Sequence, residues 1–96
     1  MSAYVIVELE VNDPQQYTAY GKLAQESIAR HGGRFLIRGG TQEVIEGDWG
    51  PRMVMVEFDS LDAARAWYDS EDYQAILPMR LESSKGRMIF VEGSAG

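Results

Sequence analysis

Three charged side chains in this sequence stand among residues that belong to a core. Arg38 closes the apolar run Phe35-Leu36-Ile37, and Glu57 sits inside RMVMVEF. Arg80 falls where the helical stripe of Tyr73, Ile76 and Leu77 asks for leucine. A charge in such a place needs a partner or a ligand. Arg38 and Glu57 lie on neighbouring strands of an expected hairpin. A guanidinium fork facing a carboxylate there either binds a substrate carboxylate or holds a water, or it is a structural ion pair at a dimer interface. Register decides between these, because one residue of slip turns a side chain to the other face, and Gly39-Gly40 leave room for a bulge. Tyr73 and Arg80, seven residues apart, share a helix face. With Trp67 and Tyr68 they supply aromatic walls and convergent polar groups, the composition of a small-molecule site. The plainer alternative makes the aromatics core and pairs Arg80 with Asp69 or Glu71.

His31 is the single histidine. It has the chemistry of a general base near neutral pH or of an axial haem ligand. Its place before Gly32-Gly33, at the end of a helix, reads more simply as a cap on the negative end of the dipole. One histidine without cysteine makes no protein metal cage, so no metal and no cofactor are expected. Nucleophile elbow, phosphate loop and dinucleotide fingerprint are all missing, and covalent catalysis has no candidate.

The composition narrows the partners. Fifteen acidic against nine basic side chains give a net charge of −6 over 96 residues, which opposes a polyanion, and no Lys/Arg cluster breaks that average. Nucleic acid is not an expected partner. The absence of cysteine removes disulfides and thiolate chemistry together. The opening MSAYVIVELEV lacks a basic region and a small-residue cleavage site, and reads as a strand rather than a signal peptide. No run approaches the roughly 20 apolar residues of a membrane span, so a cytoplasmic location is the default expectation. The length predicts a single domain over 1–96, small for a self-sufficient core and so a candidate for pairing with a second copy.

The elements that must position these groups follow in order. AYVIVELEV (3–11) is rich in β-branched residues and alternates, with Val5, Val7, Leu9 and Val11 on one face. Asp13 and Pro14 are a natural cap and first residue of a helix that carries Tyr17, Tyr20, Ala24 and Ile28 in a stripe, widened by Leu23, and ends at Arg30-His31. A second strand is expected over 34–46, bent at Gly39-Gly40, with EGDWGP as its turn and Trp49 as a lid. RMVMVEF (52–58) is the third strand. Ser60 caps a helix from Leu61, Asp69-Ser70 interrupts it, and another segment starts near Glu71 and should bend or restart at Pro78. RMIFVEG is the last strand, and 93–96 is expected to fray.

Strand, helix, strand, strand, helix, strand is the order of a ferredoxin-like α+β sandwich, a four-stranded antiparallel sheet with helices on one face. Its other face would hold too many apolar side chains for water, and stacking two such sheets would bury them.

In the blocks HGGRFLIRGG (31–40), EGDWGPR (46–52), EF (57–58), WYDSEDYQ (67–74), Arg80 and VEG (91–93), the chain resembles the family catalogued as domain of unknown function 1330. The resemblance covers essentially the whole domain. It implies the dimeric α+β barrel superfamily, in which two ferredoxin-like protomers pack sheet to sheet and each often holds a small-molecule pocket. Members of that superfamily include cofactor-independent oxygenases, lactone isomerases, haem-degrading enzymes and proteins of unknown activity, so the fold does not choose a reaction. Three functions follow as expectations. The first is a pocket for a small anionic or aromatic molecule, with Arg38, Arg80, Trp67, Tyr68 and Tyr73 as binding residues and Glu57 or His31 moving a proton. The others are a cofactor-independent oxygenase or isomerase, and a structural or regulatory homodimer without chemistry. The first is the reading adopted.

Overall fold

A computed structural model describes residues 1–94. The chain runs β1 (Ala3–Val11), α1 (Pro14–Arg30), β2 (Arg34–Arg38), β3 (Arg52–Phe58), α2 (Leu61–Asp69), α3 (Glu71–Ser83) and β4 (Ser84–Glu92). The local signals do what they promise. The Asp13 carboxylate accepts from the Gln16 amide at 3.2 Å, and the Ser60 hydroxyl accepts from the Ala63 amide at 3.0 Å. Ser70 ends α2 by donating its amide to Trp67 and starts α3 by accepting from the Tyr73 amide, so one serine sets the corner between the two helices.

All strand pairings are antiparallel, in the order β2-β3-β1-β4. This is the ferredoxin-like arrangement. Alternation sends Val5, Val7 and Leu9 of β1 and Val54, Val56 and Phe58 of β3 towards the helices, where all six are buried. Tyr20, Ala24 and Ile28 of α1 and Ala64 and Trp67 of α2 close over them. Leu23, expected to widen the α1 stripe, is 42% exposed and lies off it. The molecule is only 17 Å thick against 35 and 33 Å across, which is one sheet and one helical layer. None of the described residues covers the opposite sheet face, where Ile89 and Val91 are exposed and the ion pairs Arg34–Glu57 and Arg87–Glu8 lie.

Three expectations need correction. The second strand stops at Arg38, because Gly39 and Gly40 both take positive φ and turn the chain out of the sheet. Residues 39–51 are irregular, so the strand expected to reach 46 is less than half that long. Pro78 neither breaks nor restarts α3, which is helical from Glu71 to Ser83. Fraying does not begin at Gly93, whose amide donates to the Ser2 carbonyl at 2.7 Å; residues 95–96 of the expected tail lie outside the described residues.

Asp72, in the first turn of α3, ties α1 to α3. It accepts from Ser27 Oγ at 2.6 Å and Arg30 Nη1 at 2.7 Å on one oxygen, and from His31 Nε2 at 3.0 Å on the other. The hydrogen bond from Ser27 first, and then that from His31, hold its carboxyl well below the ordinary value of 3.8. A depressed carboxyl stabilises the fold above its unfolded value and loses that contribution as pH falls through its folded value. Asp72→Asn should therefore lower the melting temperature at neutral pH. The gap between variant and wild type should close as pH falls from about 5 towards 2. Thermal melts followed by circular dichroism check this, and a gap constant across that range would refute it.

Candidate functional site

A cavity of about 390 Å³ lies between α1 and the helix-facing side of the sheet, within the range of small-molecule sites. Valines of β1 and β3 form its floor, Tyr17, Tyr20 and Gly21 of α1 its roof, and Trp67 and Met88 part of its walls. Four cationic side chains line it: Lys22, Arg38, Arg52 and Arg80. Among the described residues no aspartate, glutamate or histidine does. In a chain of net charge −6 this separation is the site's defining property.

Each arginine arrives by a different route. Arg80 projects from the buried stripe of α3, is 7% exposed, and forms no ion pair among the described residues. Burial opposes its charge, but the hydroxyls of Tyr73 and Tyr20 outweigh that and raise its pKa, so it remains a cation. Arg52 begins β3 on the same side as Val54 and Val56, and its guanidinium sits 5.4 Å from the centre of the Tyr17 ring. Arg38 donates to Gln25 Oε1 at 2.9 Å and the Gly21 carbonyl at 3.3 Å, and stacks 4.4 Å from the Phe35 ring, forming the outer wall.

Three buried N–H groups find no acceptor among the described residues: Nε of Arg52, Nε of Arg80 and Nε1 of Trp67. All three residues line the cavity. A buried donor without a partner costs about 1–3 kcal/mol, and a ligand offering acceptor oxygens removes that cost. Tyr20 adds a hydroxyl 2.7 Å from that of Tyr73. Burial first, and each other's proximity in the case of Tyr20, raise both phenols, so both stay neutral.

The residues singled out from the sequence divide cleanly. Arg38, Trp67 and Arg80 line the cavity. Tyr68 and Tyr73 do not; they form the layer behind it, Tyr73 with its ring 4.2 Å from Trp67 and Tyr68 edge-on to Phe90. The alternative pairing of Arg80 with Asp69 or Glu71 does not occur among the described residues; its neighbour is Tyr73, two turns away on the same face of α3. Arg38 and Glu57 are not partners. A bulge at Leu36 shifts the β2–β3 register, so Arg38 pairs with Val54 on the helix side while Glu57 pairs with Arg34 on the open side. The hydrogen bond from Arg34 Nε, at 2.6 Å, is the main reason the Glu57 carboxyl lies below its ordinary value. His31 is the C-cap of α1 and is engaged with Asp72, away from the cavity. Neither candidate for moving a proton is therefore at the site. Trp49, read as a lid, is 51% exposed and lines a separate groove with Ile37, Val44, Ile45 and Met53. The sequence reading missed Arg52, Lys22, Tyr17 and Tyr20 as site residues. Arg52 was visible in principle: it heads the alternation Arg52, Val54, Val56, Phe58, which places it on the core face.

A single antiparallel sheet with its helices on one face, and a cavity between the layers, defines a ferredoxin-like α+β protein. The chain belongs to the family described as Domain of unknown function (DUF1330), whose model matches residues 2–94. Among solved structures it is similar to a protein of unknown function from Rhodopseudomonas palustris, at 15% identity and a TM-score of 0.78 over 99% of this chain and 84% of that one. It is also similar to SnoaB, a cofactor-independent oxygenase from Streptomyces nogalater, at 11% identity and a TM-score of 0.72 over 99% and 95%. A dimeric ferredoxin-like protein of unknown function from Thermobifida fusca matches at 17% identity and a TM-score of 0.65 over 94% and 89%. At these identities the likeness is one of fold. Curated protein sequences give no match. Among the described residues no helix is long and apolar enough to cross a membrane.

Proposed function

We propose that the cavity binds a small organic anion with a flat apolar body, and that the protein works as a homodimer joined through its open sheet face. One observation carries the first part: the cavity gathers four cations, three orphaned N–H donors and no acidic side chain inside an acidic protein. A guanidinium in a water-poor slot attracts an anion far more strongly than in bulk water. Aromatic and aliphatic walls supply the rest of the binding. The arrangement favours holding and stabilising negative charge. General-base chemistry has little support, because Glu57 and His31 are engaged elsewhere and no other carboxylate or imidazole faces the cavity. The oxygenase or isomerase alternative keeps only its likeness of fold.

Calorimetric titration with benzoate and with benzamide tests the site. The two share shape and differ in charge. Benzoate should bind, more weakly as salt rises, and benzamide should not. Equal binding of the two, or binding of neither, would remove the anion reading.

The homodimer rests on the open face. Ile6, Met53, Met55, Ile89 and Val91 alternate onto it, and Ile89 alone is 56% exposed. Unpaired, this is a large apolar patch for so small a protein. The similarity to the dimeric ferredoxin-like protein from Thermobifida fusca is consistent with it. Light scattering should give twice the chain mass for the wild type and the chain mass for Ile89→Asp, with the circular dichroism spectrum of a folded protein in both. A monomeric wild type would overturn this part.

A further inference from the structure

The cavity's cations are not gathered in one place. Arg80 stands on the α3 side, with the orphaned Nε1 of Trp67 lining the same cavity, and both residues are more than nine-tenths buried. Arg52 stands on the β2–β3 side, its own Nε buried without an acceptor. A Cβ at Gly39 would fall 2.5 Å from Arg52 Nη1, so glycine at that position leaves the guanidinium its room. Between the two arginines run the rings of Tyr17 and Tyr20, centroids 5.7 Å apart: Arg52 stacks on the first, and the second reaches the Tyr73 hydroxyl beside Arg80. Opposite these rings the floor is aliphatic, with Val7, Val54 and Val56. The slot is thus charged at two separated places, and aromatic and apolar between them.

We propose that the ligand is a flat dicarboxylate, one carboxylate held by Arg80 and Trp67 and the other by Arg52, with Lys22 adding charge at the mouth. This rests on the anion-binding reading above and specifies it. A monoanion leaves one guanidinium unsatisfied, whereas a diacid satisfies both. The planar fork of arginine matches a carboxylate in two hydrogen bonds, which favours this group over a spherical anion at each end. The tyrosine rings favour a planar body between the ends over a flexible chain, which would lose more freedom on binding.

Calorimetric titration of the full chain with benzoate, isophthalate and terephthalate tests this, on the wild type, Arg52→Met and Arg52→Lys. In the wild type the better diacid should bind at least about tenfold more tightly than benzoate, as a second charge-assisted contact provides. Arg52→Met should bring that ratio close to one, and Arg52→Lys, which keeps the charge and loses the fork, should restore part of it. Circular dichroism establishes that each variant is folded, and the lysine variant gives the answer should the methionine variant fail to fold. Benzoate and diacid binding equally to the wild type would overturn the dicarboxylate and leave the anion site standing. The same follows if the Arg52 variants weaken both ligands alike. If no acid binds the wild type, both readings fall.

Discussion

Arg80→Leu should weaken benzoate binding by about a hundredfold or more while leaving the melting temperature unchanged or higher. The size of the loss follows from a bidentate charge-assisted contact made away from water, at about 1.5–3 kcal/mol per bond and tenfold in affinity for each 1.4 kcal/mol. The direction of the stability change follows from what Arg80 lacks. It is buried, pairs with no carboxylate among the described residues, and keeps one N–H without an acceptor. Replacing such a group with an apolar side chain of similar reach removes a desolvation cost. Tyr73 keeps its hydrogen bond to Tyr20 in the variant. Calorimetry for binding and a thermal melt for stability read the two effects separately. A collapse of the melt together with binding would make Arg80 a structural residue and take from the cavity its deepest anchor.

Trp67→Ala should have the largest effect on stability, a loss of about 3–5 kcal/mol. The indole is 2% exposed and meets three other rings: Phe58 stacked at 5.5 Å, Tyr73 at 4.2 Å and Tyr68 edge-on at 6.1 Å. A domain of this size has a total stability of about 5–15 kcal/mol, so the variant keeps little reserve. The melting temperature should fall by roughly 15 °C or more, at about 4–8 °C per kcal/mol. Trp67→Phe is the informative companion. It keeps one aromatic ring in the cluster and deletes the orphaned Nε1–H together with the rest of the indole, so it should weaken benzoate with a smaller change in the melt than the alanine variant. An alanine variant that melts within a few degrees of the wild type would show that the aromatic cluster does not hold the helical layer to the sheet.

Much of the fold was legible because its signals are local. Asp13, Ser60 and Ser70 mark helix starts by accepting hydrogen bonds from amides three residues on, Pro14 presets the first helical turn, and the alternation of β1 and β3 is complete within each strand. Arg80 was legible for the same reason: an arginine inside an apolar helical stripe is visible without knowing what lies opposite. The pairing of Arg38 with Glu57 failed because it needed a register. A residue inserted at Leu36 carries no composition that announces it, and Leu in a strand looks like any other. The extent of the second strand failed because apolar residues such as Val44 and Ile45 continue past Gly39-Gly40, although both are exposed. The partner of His31 was out of reach for a third reason. Asp72 stands 41 residues away and meets it only because α1 and α3 pack side by side.

The Leu36 bulge also bears on how relatives should be read. Arg34 and Arg38 are four residues apart, a separation that in an uninterrupted strand places both on one side. Here one serves the outer face and the other the interior, so the bulge works as a phase change in the strand. A homologue that kept all five residues but paired them without the bulge would present the same letters with Arg34 and Arg38 on one face, trading a cavity wall for a surface charge while leaving sheet order and helices untouched. Matching columns in this strand therefore do not guarantee matching roles. A one-residue deletion at the bulge, by contrast, leaves Arg34 and Arg38 three apart in a regular strand and so preserves the side each one serves.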